Sequence, residues 1–314
     1  MSRLRPSHSG LLALGAAAVA VAACGGGDAT GTVGTTRTAP APKPAAARPA
    51  ICGPLTVAAT GTVGAPDATE ISGLVRSPTQ PGVLWAHNDS GDRARIFALR
   101  TDGSEIASLD VPDAEAVDWE DIAAGPGDTL LLGDIGDNGS VRDSIDVYRI
   151  PEPKLSQNPT ATAPATRLRL RYPDGAHDAE TLLADPRTGE LVVITKRVDG
   201  RSGVYVGSVS AGGEQTLRRV TTLRLGLGGL ATGGDVSGDG RTVAVRTYTT
   251  LYAWTRPAGA TLAATLKRSP CAGSAPLLRE GQGESLALSR DGRSFFTIPE
   301  GARATVRRYS VRKQ

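Results

Sequence analysis

From about residue 55 onward the chain is built of short apolar runs, alternating with polar positions and separated by Asp-Gly and other Gly-rich turns. Alternation with period two over such short spans predicts β-strands, and the 3.6-residue period of an amphipathic helix is almost absent. The runs also recur. Segments that open on an acidic residue and continue as apolar residues begin at Glu70 (EISGLV), Glu120 (EDIAA), Glu180 (ETLLA) and Glu284 (ESLAL). Their spacings are 50, 60 and 104 residues, so a further copy belongs in the last interval. Aligning Asp239-Gly240 with Asp291-Gly292 puts Thr232 where the other copies have glutamate. A second apolar run follows in every copy: VLWA at Val83, LLLG at Leu130, LVVI at Leu191, VAV at Val243 and FFTI at Phe295. The third run always carries an aromatic residue, namely Phe97, Tyr148, Tyr205, Tyr252 or Tyr309. With only 3 Trp, 6 Tyr and 3 Phe in the chain, five aromatics at matching positions mark a true repeat. Fourth runs follow Ile106, Arg167, Thr221 and Ala275.

Four short strands repeated about every fifty residues predict an all-β, five-bladed β-propeller, with six blades as the alternative count. The last copy ends after its third run, near Tyr309 to Val311, which would leave an unpaired edge. The run LTVAAT at Leu55 precedes the first blade and is expected to supply the missing outer strand, closing the ring. Cys52 stands at the start of that strand and Cys271 just before the expected fourth strand of the neighbouring blade. A disulfide would tie the closure, and two separate buried thiols are the alternative.

The first residues change the setting. Arg3, Arg5 and His8 lead into an uncharged run from Leu11 to Ala23, too short to span a bilayer, so residues 1–23 read as a signal peptide. Val21-Ala22-Ala23-Cys24 resembles the lipobox of bacterial lipoproteins, which implies a diacylglyceryl group on Cys24 and an N-terminal membrane anchor with two acyl chains. An ordinary secreted chain with a free Cys24 is the alternative. Residues 24–51, rich in Gly, Thr, Pro and Ala, read as a flexible tether, and residues 52–314 as the propeller. The expected location is extracytoplasmic, in the cell envelope, as a monomer. Net charge is +3, and the basic C-terminal stretch Arg303 to Lys313 alternates with apolar residues, which suits a solvated strand face and argues against a nucleic-acid partner.

In a propeller the first strand of each blade lines the central channel and the second runs back beside it. Strand-one starts and strand-two ends therefore share a rim. The first set comprises Glu70, Glu120, Glu180, Thr232 and Glu284. The second comprises Asn88 with Asp89, Asp134 with Asp137, Lys196, Arg246 with Tyr248, and Glu300. Clustered carboxylates repel one another unless a cation enters, and calcium takes six to eight oxygen ligands of this kind. Histidines and thiols for a transition metal are scarce. The alternative is neutralisation by Lys196, Arg246 and water. The segment DVSGDG from Asp235 begins like an EF-hand loop, but its twelfth position is Arg246, so it reads as a hairpin turn. HNDSGD from His87 and GDIGDN from Gly133 are oxygen-rich loops that either bind calcium or cap their own turns. His87 and His177, each near a carboxylate, are candidate general bases or else ordinary hydrogen-bonding residues. No G-x-S-x-G elbow, Walker loop or zinc-ligand spacing occurs.

The segments SGL after Glu70, DWEDIA at Asp118, HDAETL at His177 and GESLAL at Gly283 carry a resemblance. The domain resembles the bacterial exported propellers typified by the SdiA-regulated family and is more distantly similar to the gluconolactonase and strictosidine-synthase propellers. The resemblance implies calcium in the central funnel, held at positions drawn from Glu70, Asn88, Glu120, Asp134, Glu180 and Glu284. Lys196 and Thr232 depart from an all-acidic ring. Because propellers host many functions, two readings stand. One is a membrane-anchored binding or scaffold module whose ligand is a small molecule or a cell-envelope protein. The other is a calcium-dependent hydrolase of a phosphoester or lactone, with His87 or His177 as base.

Overall fold

The computed structural model describes residues 47–273, 277 and 280–312. The signal peptide, Cys24, the start of the tether and most of the run at Ala275 lie outside the described residues. After a 3-10 turn at Ala50–Cys52 comes β1 (Leu55–Thr62). Blade one is β2 (Ile71–Arg76), β3 (Val83–Asn88), β4 (Arg95–Arg100) and β5 (Glu105–Asp110), paired in that order. Blade two is β6 (Trp119–Gly125), β7 (Thr129–Asp134), β8 (Ile145–Pro151) and β9 (Thr166–Arg171). Blade three begins with β10 (Ala179–Ala184), β11 (Glu190–Thr195) and β12 (Arg201–Ser208). Its next segment, β13 (Glu214–Thr216), pairs in parallel with β9 and so extends the second blade's sheet, before β14 (Arg218–Arg224) completes the third. Blade four is β15 (Gly233–Val236), β16 (Thr242–Arg246) and β17 (Leu251–Thr255), then a short helix α1 (Leu262–Leu266) and β18 (Cys271–Ala272). Blade five is β19 (Ala287–Leu288), β20 (Ser294–Thr297) and β21 (Thr305–Val311), with β1 as its outer strand.

These five sheets form a five-bladed propeller, and the six-bladed alternative falls away. β1 closes the ring antiparallel to β21, from Leu55 opposite Val311 to Thr62 opposite Thr305. Cys52, just ahead of β1, and Cys271, in β18 of blade four, form a disulfide that ties the start of the closing strand to the neighbouring blade. Cys271 lies within the fourth strand rather than ahead of it, because α1 fills the connection and β18 starts earlier than the apolar run at Ala275 implied.

The repeating third-strand aromatic has a packing reason. Each one leaves its own sheet to pack against the preceding blade: Tyr148 lies with Trp85 and Ile96 of blade one, Tyr205 with Leu131 and Val147 of blade two. Phe97 meets Phe296 and Val306 across the closure, Tyr252 packs on blade-three apolar residues such as Val192 and Leu223, and Tyr309 packs on Leu251 and Ala253 of blade four. Burying such a ring contributes about 1.5–3 kcal/mol, and the position recurs because every blade interface needs its wedge. In DVSGDG, Asp239 accepts from Ser237 Oγ at 2.6 Å and from Arg241 N at 2.9 Å, which makes the segment the hairpin turn its sequence suggests. Gly240, at φ +68°, supplies the left-handed position of that turn. No helix among the described residues is long and apolar enough to cross a membrane.

Candidate metal centre

Five inner strands, β2, β6, β10, β15 and β19, surround the axis. In three of them the ladder slips by one residue near the start, between Ile71 and Gly73, Trp119 and Asp121, and Ala179 and Thr181. A bulge of this kind leaves one residue unpaired and re-aims its side chain, and here those residues are Ser72, Glu120 and Glu180. Equivalent ladder pairs at the far end, Arg76 with Leu84, Ala124 with Leu130, Ala184 with Leu191, Val236 with Val243 and Leu288 with Phe295, fix the levels. Four residues before each lie Ser72, Glu120, Glu180, Thr232 and Glu284. The position matching the glutamates in blade one is therefore Ser72, not Glu70, which is exposed and level with Asp118 and Asp178. Where no carboxylate stands, a hydroxyl ties neighbouring blades: Ser72 Oγ donates to Glu120 O at 2.5 Å and Thr232 Oγ1 to Gly283 O at 3.2 Å.

Two carboxylates close below this level, Asp121 and Asp235, are staples. Asp121 Oδ2 accepts the amides of Leu182 at 2.9 Å and Gly234 at 3.2 Å, joining three blades. Asp235 accepts Val236 N and Leu288 N, each at 2.7 Å.

At the rim, Asp89, Glu120 and Glu284 each bring one oxygen within 4.8 Å of the others. Glu120 and Glu284 are buried, and Oε2 of each has no hydrogen-bond partner. Tyr248 donates to Glu284 Oε1 at 3.1 Å. Burial, and then the charges of Asp89, Asp118 and Glu284, raise the Glu120 carboxyl well above its usual range. Burial and the neighbouring Glu284, with which it shares a hydrogen bond, push Glu300 up to about 8. Burial, then Asp89 and Asp178, raise Asp118 to about 6. Such shifts are what burial, and then the crowding of anions, produce. Gly136 backs onto the cluster: a Cβ there would sit 2.4 Å from Asp118 Oδ2 and from Glu120 Oε1.

The remaining sequence candidates have partners of their own, although Glu180 Oε2 and Asp134 Oδ2 are also buried without a hydrogen bond. Glu180 is ion-paired with Lys196. Asp134 Oδ1 accepts Arg142 Nη1 at 2.9 Å and Asp118 N at 3.0 Å. Asn88 spends its amide on Asp67 O at 2.7 Å, Asp92 at 2.8 Å and Glu70 N at 3.2 Å. Arg246 is fully buried and reaches Glu280 at 3.1 Å and Ser285 O at 2.9 Å, a partner with no sequence signal, since it lies in a segment without strand pattern. The loop from Gly133 caps itself through Asp137, which accepts Val141 N at 3.0 Å and Arg142 N at 2.8 Å. In the loop from His87, Asp92 is held by Arg95 at 2.7 Å, which leaves Asp89 for the axis. Sequence placed Asp89 and Glu300 at strand-two ends without assigning either as a ligand, and that topological rule is the signal that finds them.

His87 is completely buried, its Nδ1 at 2.8 Å from Asn88 O and its ring edge-on to Trp119 at 5.3 Å. Burial lowers its pKa, and its Nε2 lacks a hydrogen-bond partner. His177 lies on the flank of blade three, its Nε2 at 2.8 Å from Tyr205 Oη and 3.0 Å from Asp174 Oδ1. The hydrogen bonds of neither histidine reach Asp89, Glu120 or Glu284.

No protein-family model matches the chain, and no curated protein sequence does. Among solved structures it is similar to a candidate 6-phosphogluconolactonase of Bacteroides uniformis, at 15% identity and a TM-score of 0.42, over 77% of this chain and 68% of that one. It is similar to a gluconolactonase of Xanthomonas campestris, at 14% identity and a TM-score of 0.44, over 83% and 91%. The hydrazine synthase of Kuenenia stuttgartiensis aligns at 14% identity and a TM-score of 0.37, over 72% of this chain and 61% of that one.

Proposed function

We propose that the axial funnel is a calcium site, and that the protein is a lipid-anchored extracytoplasmic binding module that takes a small oxygen-rich ligand on the cation. The observation that carries the reading is the convergence of Asp89, Glu120 and Glu284, two of which carry a buried carboxylate oxygen without a hydrogen bond. Three carboxylates supply part of the shell calcium requires, and water or a ligand completes it. Nearby cations are committed to other anions: Lys196 to Glu180, Arg142 to Asp134 and Arg246 to Glu280. Neutralisation from within, the alternative left by the sequence, reaches Glu120 and Glu284 only through space, from Lys196 and Arg246, and leaves Oε2 of each without a hydrogen bond. When bound, calcium would supply charge neutralisation and open coordination positions, while the chain's carboxylates fix it on the axis.

The hydrolase reading took His87 or His177 as its base, and the hydrogen bonds of neither reach the carboxylate cluster. Binding is for that reason preferred. The test is calorimetric titration of calcium into EDTA-treated protein and into Glu120→Gln. Saturable binding in the parent that is weakened roughly a hundredfold in the variant supports the site, and no binding in the parent sinks it. Calcium-dependent turnover of lactones or phosphoesters that His177→Ala abolishes would put the hydrolase in its place. Fatty-acid labelling of the expressed chain that Cys24→Ser removes is the corresponding test of the anchor.

A further inference from the structure

The inner strands have a second end. At their C-terminal residues, on the face opposite the carboxylate cluster, lies a cavity of about 530 Å³, within the size range of small-molecule sites. Its charge is opposite in sign. Arg76, Arg187 and Arg290 line it, against Asp128 and the buried Asp235. Arg76 is half-buried, and among the described residues its guanidinium has no ion-pair or hydrogen-bond partner. It lies over the Phe296 ring at 5.3 Å, with Arg308 over the same ring at 5.8 Å. Burial and the charge of Arg308 both work against the charged form of Arg76, while Asp235 and Asp291 favour it. Arg290 likewise has no side-chain partner among the described residues. Arg187 has only Asp185 at 3.7 Å, a carboxylate already held by Arg256 at 2.5 Å.

Asp235 does not balance these charges. Each of its oxygens accepts a backbone amide and neither is ion-paired with these arginines, while burial pushes its carboxyl up to about 8. The walls between the arginines are apolar, from Val75, Pro81, Pro186 and Leu288. A half-buried guanidinium without a counterion is costly, and an entering oxyanion offsets that cost through charge-assisted hydrogen bonds.

We propose that this second axial cavity binds a small organic oxyanion, a carboxylate or a phosphate monoester carried on an apolar body, with Arg76 as its main ion-pairing partner and Arg187 and Arg290 beside it. The site is independent of the cation site, and both can be occupied at once.

Phenyl phosphate and benzoate, titrated calorimetrically into the full chain at constant ionic strength, test this, with inorganic phosphate as the probe lacking an apolar body. One-to-one saturable binding of phenyl phosphate or benzoate is expected, and the tighter of the two identifies the headgroup. Arg76→Gln and Arg290→Gln are each expected to weaken it roughly tenfold, while Glu120→Gln leaves it unchanged. Arg290 is exposed, so its variant keeps the test meaningful if Arg76→Gln folds poorly. No saturation by either probe up to about 10 mM, or undiminished binding in Arg290→Gln and in the Arg76→Gln/Arg290→Gln pair, overturns the proposal.

Discussion

Replacing Glu120 by glutamine separates the calcium reading from every account in which the carboxylates are satisfied internally. Two ionised carboxylates no more than 4.8 Å apart repel by at least about 3.5 kcal/mol at an effective dielectric of 20. In the cation-free protein the fold therefore gains nothing from the negative charge of Glu120, whose pKa is raised by burial and its acidic neighbours. The amide resembles the protonated acid in shape and polarity, so Glu120→Gln in EDTA should unfold at the parental temperature or above it. Calcium reverses the order. At calcium 100-fold above the dissociation constant, mass action stabilises the parent by about 2.7 kcal/mol, roughly 5–10 °C for a domain of this size. A hundredfold weaker variant gains only about 0.4 kcal/mol from the same calcium, roughly 1 °C. Thermal unfolding followed by circular dichroism, in EDTA and in calcium, reads both numbers. Equal calcium shifts in the two proteins would refute the assignment of Glu120 as a ligand. A large loss of stability in EDTA would show that an internal partner already compensates its charge.

Gly136→Ala should weaken calcium binding tenfold or more, because the added methyl occupies the space of the Asp118 and Glu120 carboxylates; titration of the variant against Gly139→Ala, whose Cβ meets nothing closer than 3.6 Å, is the comparison. Changing both Cys52 and Cys271 to serine removes a crosslink between residues 219 apart, with an entropic worth of up to about 5 kcal/mol, and denaturant unfolding of the parent should show the same loss under reductant. Asp185→Asn tests a buried pair. Although burial opposes ionisation, the hydrogen bonds from Arg256, Thr188 and the Arg187 amide hold the Asp185 carboxyl well below its usual range. With the folded pKa depressed, the pair's stabilisation is fully present above the unfolded value of about 3.9 and is lost as pH falls towards the folded one. The variant should be about 3–5 kcal/mol less stable than the parent between pH 5 and 8, with the gap closing only below about pH 4.

The blades were readable because two independent constraints repeat together: alternation within each strand, and one large ring per blade to wedge against its neighbour. Tyr148 and Tyr205 therefore mark their strands in the sequence itself. The offset of Glu70 was not readable. A bulge adds a residue without disturbing the apolar pattern on either side, so Glu70 and Glu120 look alike in sequence while Ser72 is the true counterpart. Burial distinguishes what composition cannot. Asp121 and Glu120 are adjacent carboxylates, yet one staples blades through Leu182 and Gly234 and the other faces the axis with a bare oxygen. Lys196 was legible as a neutralising group and does pair with Glu180, whereas Arg246 was assigned the same role and turns instead to Glu280. Neither β13, lent to the neighbouring blade, nor α1 carries a signal strong enough to stand out over so few residues.

The pairing of β1 with β21 fastens the ring between two strands far apart in the sequence, so assembly order is built into the topology. β1 has no ladder partner until β21, made far later in the chain, exists, and until then it presents an open edge of the kind that invites wrong pairing. Contacts this distant in sequence slow folding. Every earlier blade can reach its local shape while the whole stays unlatched. The Cys52–Cys271 bond joins the start of β1 to blade four rather than to β21, so its appearance in a refolding time course reports the docking of β1 beside that blade, separable from the formation of the blades themselves.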